Sequence, residues 1–387
     1  MIVIATVLRL EGQTGVQAHT AALHDGLVRA GVSCHVTTPF GGSRRWLPLF
    51  AVRPLFLRRA RRSWSTRWYR HWHFVALRAN LERTLVRGDV RAVVAQDPLS
   101  GRAALEARQR ARVSVPITVV CHFNVSQADE FRAKGELTDD RAYERIRRLE
   151  ADVLTNADAV VYVSNWSREV IEERRGIRPR RSSVIWNGIP VEIPALASTR
   201  SDLGIPVDAI VLANIGTIEP RKNQLGLVDL FARIHAEEPA THLLLVGDGP
   251  QRNDVERKLS RLGLQDRAVL VGARRNGASF LELADVYVHY AHVENLPLSL
   301  LEAARAGKPI AAPATGGMGE LLAALRGTVS VDPDDLAQSL RALRPLIQDP
   351  AARAELGAQA RDAFLRSFTA DAMIRAYRDH LAHLPGQ

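Results

Sequence analysis

The sequence predicts an α/β chain built from two parallel sheets, each covered by helices on both faces. Short apolar, β-branched runs alternate with helical patterns from end to end, which is how βαβ units read in sequence. The alternation breaks off near residue 190 and starts again, and 387 residues are long for a single core. The strand runs of the first half are 2–8, 33–38, 92–95, 117–121 and 159–163; those of the second are 209–215, 242–246, 268–271, 286–290 and 309–312. Helical patterns at 17–30, 139–156, 224–237 and 254–262 separate them, and another at 369–381 follows the second series. The expected domains are 1–189 and 205–365, joined by a linker at 190–204 that holds Pro190, Pro194, Ser198, Thr199 and Ser201. Ligands of such sheets sit at the carboxyl ends of the strands.

Composition narrows the class. An apolar content of 46% is that of a globular protein, and no uncharged apolar stretch approaches the roughly 18 residues of a membrane span. Met1 runs straight into a strand pattern without a leader, so a cytoplasmic protein is expected. Cys34 and Cys121 read as reduced, buried small hydrophobes rather than a disulfide or a metal site. The net charge of +10 is regional: residues 26–81 hold 11 Arg with no Lys and no acid, and the remainder carries −1. Trp46, Trp64, Trp68 and Trp72 fall in the same region. Indoles at 64, 68 and 72 on one helix face, ringed by Arg, would suit an anionic membrane or an anionic acceptor, placing region 44–72 at the inner face of the membrane. The competing reading puts the Trp side chains in the core and the Arg in water, the Arg excess being a coding bias in a chain with four Lys among 52 basic residues.

The chemistry concentrates in the second half. Glu294 stands where the strand run 286–290 has given out, and Glu302 lies eight positions further on, across a helix start marked by Pro297 and closed by Gly307. The backbone N–H groups of that first turn, at Leu298 and Ser299, suit a phosphate or diphosphate. A sugar nucleotide offers such a diphosphate with hydroxyls on both sides for the two Glu residues. Spacing alone is not diagnostic, since Glu136 and Glu144 repeat it in a charged stretch that reads as a solvated helix face. After the strand run 209–215 come Gly216, Arg221 and Lys222. Basic residues are unfavourable at a helix N-terminus unless an anion is bound, so this pair points to one. Gly12 and Gly15 form a glycine loop between strand and helix in the first half, a weaker phosphate signal without the full dinucleotide spacing. His122 ends the strand run 117–121, and Asp129, Glu130, Glu136, Asp139 and Asp140 follow it. That acidic cluster would receive a cationic acceptor such as an amino sugar, or is a solvated loop. Gly247-Asp248-Gly249-Pro250 reads as a turn.

These residues resemble, in order and spacing, the family 4 glycosyltransferases. The second half carries the resemblance most densely: Gly216 with Lys222, Leu244 to Pro250, Val271-Gly272, and Glu294 to Glu302 followed by Gly307-Lys308-Pro309. Gly15-Val16, His122, Val163-Ser164 and Val184 to Ile189 carry it in the first. The resemblance implies the GT-B fold: two Rossmann-like domains whose parallel sheets face an interdomain cleft, with a terminal helix at 366–387 returning to the first. It implies retaining, metal-independent transfer from a nucleotide diphosphate sugar, most often a UDP-sugar, with no cofactor. Glu294, His122, Arg221 and Lys222 would be the catalytic set. Gly15, Gly216, Asn295, Leu296, Leu298, Ser299 and Glu302 would bind the donor, Glu302 at the ribose, Glu294 at the sugar and His122 near the reacting carbon. Where many members carry Arg directly after the first glycine, this chain has Thr217, and Arg221 is expected to replace that cation.

Two other readings stand beside it: a GT-B nucleotide-sugar epimerase, and a basic nucleic-acid-binding protein suggested by the Arg/Trp stretch. The latter leaves the motif-dense second half unexplained. The acceptor is left open among a glycan, a lipid-linked carbohydrate and an amino-sugar natural product. Front-side displacement and a covalent intermediate on Glu294 both remain compatible with retention.

Overall fold

The computed structural model describes residues 1–10, 12, 14–41, 62–196 and 198–384, without the side chains of 62–64. The chain forms two compact units, Met1–Asn187 with Ala370–Gln387 and Gly188–Thr369. The stretch 190–204, expected as a linker, belongs to the second of these. Ile189 donates its N–H to the Phe368 carbonyl at 3.1 Å, and the Arg305 guanidinium holds the carbonyls of Pro190 and Glu192 at 3.0 Å each.

The first unit contains a six-stranded parallel sheet in the order β2-β1-β3-β4-β5-β6. Its strands are β1 (Ile2–Ala5), β2 (Cys34–Thr37), β3 (Ala92–Ala95), β4 (Ile117–Cys121), β5 (Ala159–Tyr162) and β6 (Ser182–Val184). β1, β3, β4 and β5 are buried along their whole length, which is why they read as unbroken apolar runs rather than alternating ones. β1 stops short of the expected residue 8 because the Thr6 hydroxyl accepts the Leu8 N–H at 3.1 Å and turns the chain. The helix Gly15–Arg29 starts on a capping box between Thr14 and Gln17. The helix Pro98–Ala111 starts on Asp97, whose carboxylate accepts from the N–H groups of Leu99 and Ser100.

The last helix, Ala370–Ala382, packs on the helix Gly15–Arg29, where Gly26 leaves the space that Ile374 fills. Its Tyr377 hydroxyl lies 3.2 Å from His19 Nε2, and His380 bridges Thr118 of β4 and Ser183 of β6 at 3.0 Å each. Burial pulls His19 down to about 4 from the ordinary 6.5. A lowered folded-state pKa means that the unfolded chain binds the proton more tightly, so this stability is full above pH 6.5 and lost as pH falls towards 4. At pH 5 the loss from this group is about 2 kcal/mol. Thermal denaturation of His19→Gln should depend less on pH between 6.5 and 4 than that of the wild type; equal slopes would refute the assignment.

The second unit contains a six-stranded parallel sheet ordered β12-β11-β10-β7-β8-β9. Its strands are β7 (Ile210–Ile215), β8 (Thr241–Val246), β9 (Ala268–Gly272), β10 (Val286–Val288), β11 (Ile310–Ala312) and β12 (Thr328–Ser330). The chain winds outward from β7 through β8 to β9, then returns to the other side of β7 with β10 and winds through β11 to β12. β7 and β10 are neighbours from which successive connections depart in opposite directions, the point where open α/β sheets bind ligands.

Most of the Arg/Trp surface expected over 44–72 lies outside the described residues. Within the helix Arg62–Val86, Trp68 and Trp72 are half-buried with rings 5.7 Å apart, while Arg67 and His71 are exposed. No helix among the described residues is long and apolar enough to cross a membrane. Cys121 is buried and Cys34 half-buried, both as free thiols, and burial pushes Cys34 up to about 11.

Candidate active site

The loop after β7 is built to present two cations. Gly216 takes φ 151°, the turn Pro220–Lys222 follows, and Asn223 adopts a left-handed φ of 54° while its side chain caps the helix Gln224–Glu237. The loop after β8 holds this one in place: Ile218 donates to the Asp248 carbonyl at 3.0 Å, and Gln251 donates to the Ile218 carbonyl at 3.1 Å. The Gly247-Asp248-Gly249 turn thus serves as the floor of the cation loop. A Cβ on Gly247 would lie inside the contact radius of the Gly216 carbonyl oxygen, at a φ of 149° that disfavours any side chain. Gly247→Ala should therefore cost about 2–4 kcal/mol of stability and weaken anion binding by moving Arg221 and Lys222. Thermal melts with and without UDP check both effects.

The loop after β10 supplies the counter-charge. Glu294 pairs its backbone with Gly316, whose φ of 61° and close approach leave a Cβ only 2.6 Å from the Glu294 carbonyl oxygen. The Glu294 side chain turns inward, 5% exposed. Arg221 Nη1 donates to its Oε1 at 2.7 Å, and Lys222 Nζ reaches Oε1 at 2.7 Å and Oε2 at 2.8 Å. His289 Nε2 stands 3.6 Å from Oε2. Behind Arg221, Glu219 Oε1 accepts from Nε at 3.2 Å and Nη2 at 2.8 Å, bracing the guanidinium. Burial alone would raise the Glu294 carboxyl, but Lys222, His289 and Arg221 outweigh it and hold it far below the usual carboxylate range. The result is a buried carboxylate, ionised at any working pH, clamped between two cations.

The helix Leu298–Arg305 begins next, with Pro297 at its cap rather than its first position and no side-chain cap. Its end is a Schellman turn: Lys308 N–H to the Ala303 carbonyl at 3.0 Å and Gly307 N–H to Ala304 at 2.9 Å, with Gly307 at φ 66°. Asn295, Leu296 and Ser299 are buried, and Leu298 and Glu302 are half-buried. Burial raises the Glu302 carboxyl against the pull of Arg305 and Lys222.

Of the residues picked from sequence, Glu294, Arg221 and Lys222 meet in direct contact, and the Lys222 stem passes over Gly216. At Thr217, where many family members carry Arg, the carbonyl accepts from Gln224 Nε2 at 3.0 Å, and the Arg221 guanidinium reaches Glu294. Sequence reasoning passed over Glu219, His289 and Tyr287. His289 lies just past the carboxyl end of β10, the same kind of position that singled out His122, but the sequence run 286–290 put it inside the strand and hid that signal.

In the first unit His122 is neutral, because burial and then neighbouring His19 lower its pKa well below the ordinary value. Its Nε2 is 3.1 Å from Gln96 Oε1, a contact that with this amide orientation puts the ring proton on Nε2. His19 meets it edge-on with ring centroids 4.6 Å apart. Gly15 opens the helix Gly15–Arg29, while residues 11 and 13 of its loop lie outside the described residues. The acidic cluster after His122 is largely committed to local structure. Asp129 accepts from the Tyr143 hydroxyl at 2.6 Å, Asp139 caps a helix through Arg141 N–H at 3.0 Å, and Asp140 pairs with Arg132 at 2.6 Å. These contacts favour the solvated-loop reading over a cationic acceptor.

Two Rossmann-like parallel sheets with glycine-lined loops at their switch points are the GT-B class. The chain matches the family "Glycosyltransferase Family 4" over residues 13–193 and the family "Glycosyl transferases group 1" over 197–363. It belongs to the family 4-type glycosyltransferases. It is 34% identical to the lipopolysaccharide core biosynthesis glycosyltransferase LpsD of Rhizobium meliloti over 48% of this chain and 53% of that one. It is 31% identical to the D-inositol 3-phosphate glycosyltransferase of Kineococcus radiotolerans over 59% of each. The matches thus span only about half the length of these curated relatives. In fold it is similar to Anabaena HepE in complex with UDP-glucose, with a TM-score of 0.75 at 18% identity over 99% of this chain and 100% of that one.

Proposed function

We propose that the protein is a retaining, metal-independent glycosyltransferase that moves a hexosyl group from a UDP-sugar to a hydroxyl of a carbohydrate acceptor. The observation that carries this reading is the Arg221–Lys222 pair at the carboxyl end of central strand β7, held ready on a buried Glu294 beside an uncapped helix start. An exposed pair of this kind would be a solvated helix start; one clamped by a buried carboxylate is stored charge. Arg221, Lys222 and the amides of Leu298 and Ser299 receive the departing diphosphate. Glu302 takes the ribose hydroxyls, and Asn295 and Leu296 line the donor. Gly216, and Gly15 in the other sheet, let backbone approach phosphate. His122 keeps its role toward the sugar. Crystals of the similarly folded HepE with UDP-glucose support uridine diphosphate as carrier, and the lipopolysaccharide relative supports a glycan or lipid-linked acceptor.

In the proposed step the anomeric C–O bond to the diphosphate breaks and the acceptor oxygen bonds to the same face of that carbon. A departing phosphate oxygen takes the acceptor proton. Glu294 is a poor covalent nucleophile, since Lys222 engages both of its oxygens and Arg221 one. It serves better by holding a sugar hydroxyl. Incubation with a panel of nucleotide sugars, with and without EDTA, should show slow release of UDP from one UDP-hexose, unchanged by EDTA. The sugar product should keep its anomeric configuration by NMR before mutarotation. Failure to bind or cleave any nucleotide sugar would overturn the proposal.

A further inference from the structure

We infer that Tyr287 and His289 form a positioning relay that links the start of the helix Leu298–Arg305 to Glu294 and hands Glu294 a neutral donor once a diphosphate has drawn off its cations. The inference rests on the donor-site reading above and adds two residues to it. Tyr287 is fully buried in β10, its hydroxyl within reach of the Ser299 side chain and 3.3 Å from His289 Nδ1. His289 is 1% exposed, and its Nε2 is a buried nitrogen that points at Glu294 Oε2 across 3.6 Å without completing a hydrogen bond.

The chemistry of the chain sets its direction. Burial pushes the Tyr287 phenol up, so it keeps its proton, and in the proposed relay that O–H is directed at His289 Nδ1, 3.3 Å away. That fixes the tautomer with the proton on Nε2, aimed at Glu294. Burial also lowers His289 despite the pull of Glu294, so the ring donates without adding a third positive charge. A buried N–H left short of its acceptor costs roughly 1–3 kcal/mol, and such an orphan in a packed site calls for a state in which the bond closes. With Lys222 and Arg221 on Glu294, the carboxylate is held toward the two cations, Oε2 accepting from Lys222 Nζ at 2.8 Å. When a diphosphate claims those cations, the Nε2–H is the donor already facing the carboxylate, and a movement of under about one ångström completes a normal bond. Glu294 then keeps its place to hold the sugar.

Full-length His289→Gln, His289→Asn and Tyr287→Phe test this. The amide nitrogen of Gln sits where Nε2 sits, whereas that of Asn sits where Nδ1 sits. His289→Asn should lower kcat for UDP-sugar cleavage at least about 10-fold while the Kd for UDP changes less than about 2-fold, and His289→Gln should recover most of kcat. Long-range 15N–1H spectra of the wild-type protein should show the Nε2–H tautomer of His289, and Tyr287→Phe should mix the tautomers. An Nδ1–H tautomer in the wild type, equal impairment of Gln and Asn, or UDP affinity falling in step with kcat would overturn the relay. A wild-type protein that cleaves no nucleotide sugar yet shows the Nε2–H tautomer would instead sink the donor-site reading, because the spectra do not depend on turnover.

Discussion

Glu294→Gln is expected to lower sugar transfer about 100-fold and at the same time tighten UDP binding about 3- to 10-fold. The two effects have opposite signs because Glu294 plays two parts. In the ligand-free protein its carboxylate competes for Lys222 and Arg221, at 2.7 Å to each, and a diphosphate must displace it. Gln keeps the shape and removes the competing charge, so the cations are left under-compensated and attract an anion more strongly. Because Arg221 is 32% exposed, solvent screening keeps that gain near about 1 kcal/mol. In the proposed transfer the same carboxylate accepts from a sugar hydroxyl, and losing a charge-assisted hydrogen bond there costs about 1.5–3 kcal/mol. Calorimetric titration with UDP and single-turnover cleavage measure the two halves separately. Weaker UDP binding together with unchanged turnover would show that Glu294 is only a structural anchor for the loop.

The fold was legible because its central strands are buried on both faces: the runs in β1, β3, β4 and β5 contain almost nothing polar, and β3 and β5 lead within two residues into the helix caps Asp97 and Ser164. β6 and β12 were not legible. Each is a three-residue edge strand, Ser182–Val184 and Thr328–Ser330, with mostly polar side chains, and such edges pair because a neighbour offers a free ladder rather than because their own residues demand it. In the site, sequence placed Glu294 and Lys222 each past a strand end and suggested one shared ligand, its sugar on Glu294 and its diphosphate on Lys222. Their ion pair spans 72 residues and follows from β7 and β10 being neighbours, which spacing does not encode. The Tyr287–His289 contact was hidden for another reason. Residues two apart on a strand share a face, but β10 ends at Val288 instead of the expected 290, so a pattern reading treats both as core.

Lys222→Ala should be the most damaging single change to turnover, lowering kcat about 1,000-fold. Lys222 is the more committed of the two cations: it is 14% exposed against 32% for Arg221 and touches both oxygens of Glu294. Arg221 is partly neutralised by Glu219 at 2.8 Å, so it cannot give its full charge to a leaving group, whereas among the described residues Lys222 is in direct contact with Glu294, the carboxylate proposed to hold the sugar. Removing one preorganised donor to a developing anion typically costs about 10²–10³ in kcat. A second signature follows from linkage. Lys222 is the strongest of the groups holding the Glu294 carboxyl down, and without it burial regains weight and the folded-state pKa rises. The wild-type carboxylate should stay ionised to the lowest pH at which the protein is folded, so activity lost with Glu294 protonation should be absent there. In Lys222→Ala an acidic limb should enter the kcat profile and weaken turnover as pH falls. Glu219→Gln should move the other way, releasing Arg221 to carry more of the charge and partly restoring turnover in the Lys222→Ala background. If the double variant is no faster than Lys222→Ala alone, Glu219 orients the guanidinium rather than restraining its charge. If Lys222→Ala itself transfers sugar at the wild-type rate, the diphosphate is held elsewhere and the β7 loop is not its receptor.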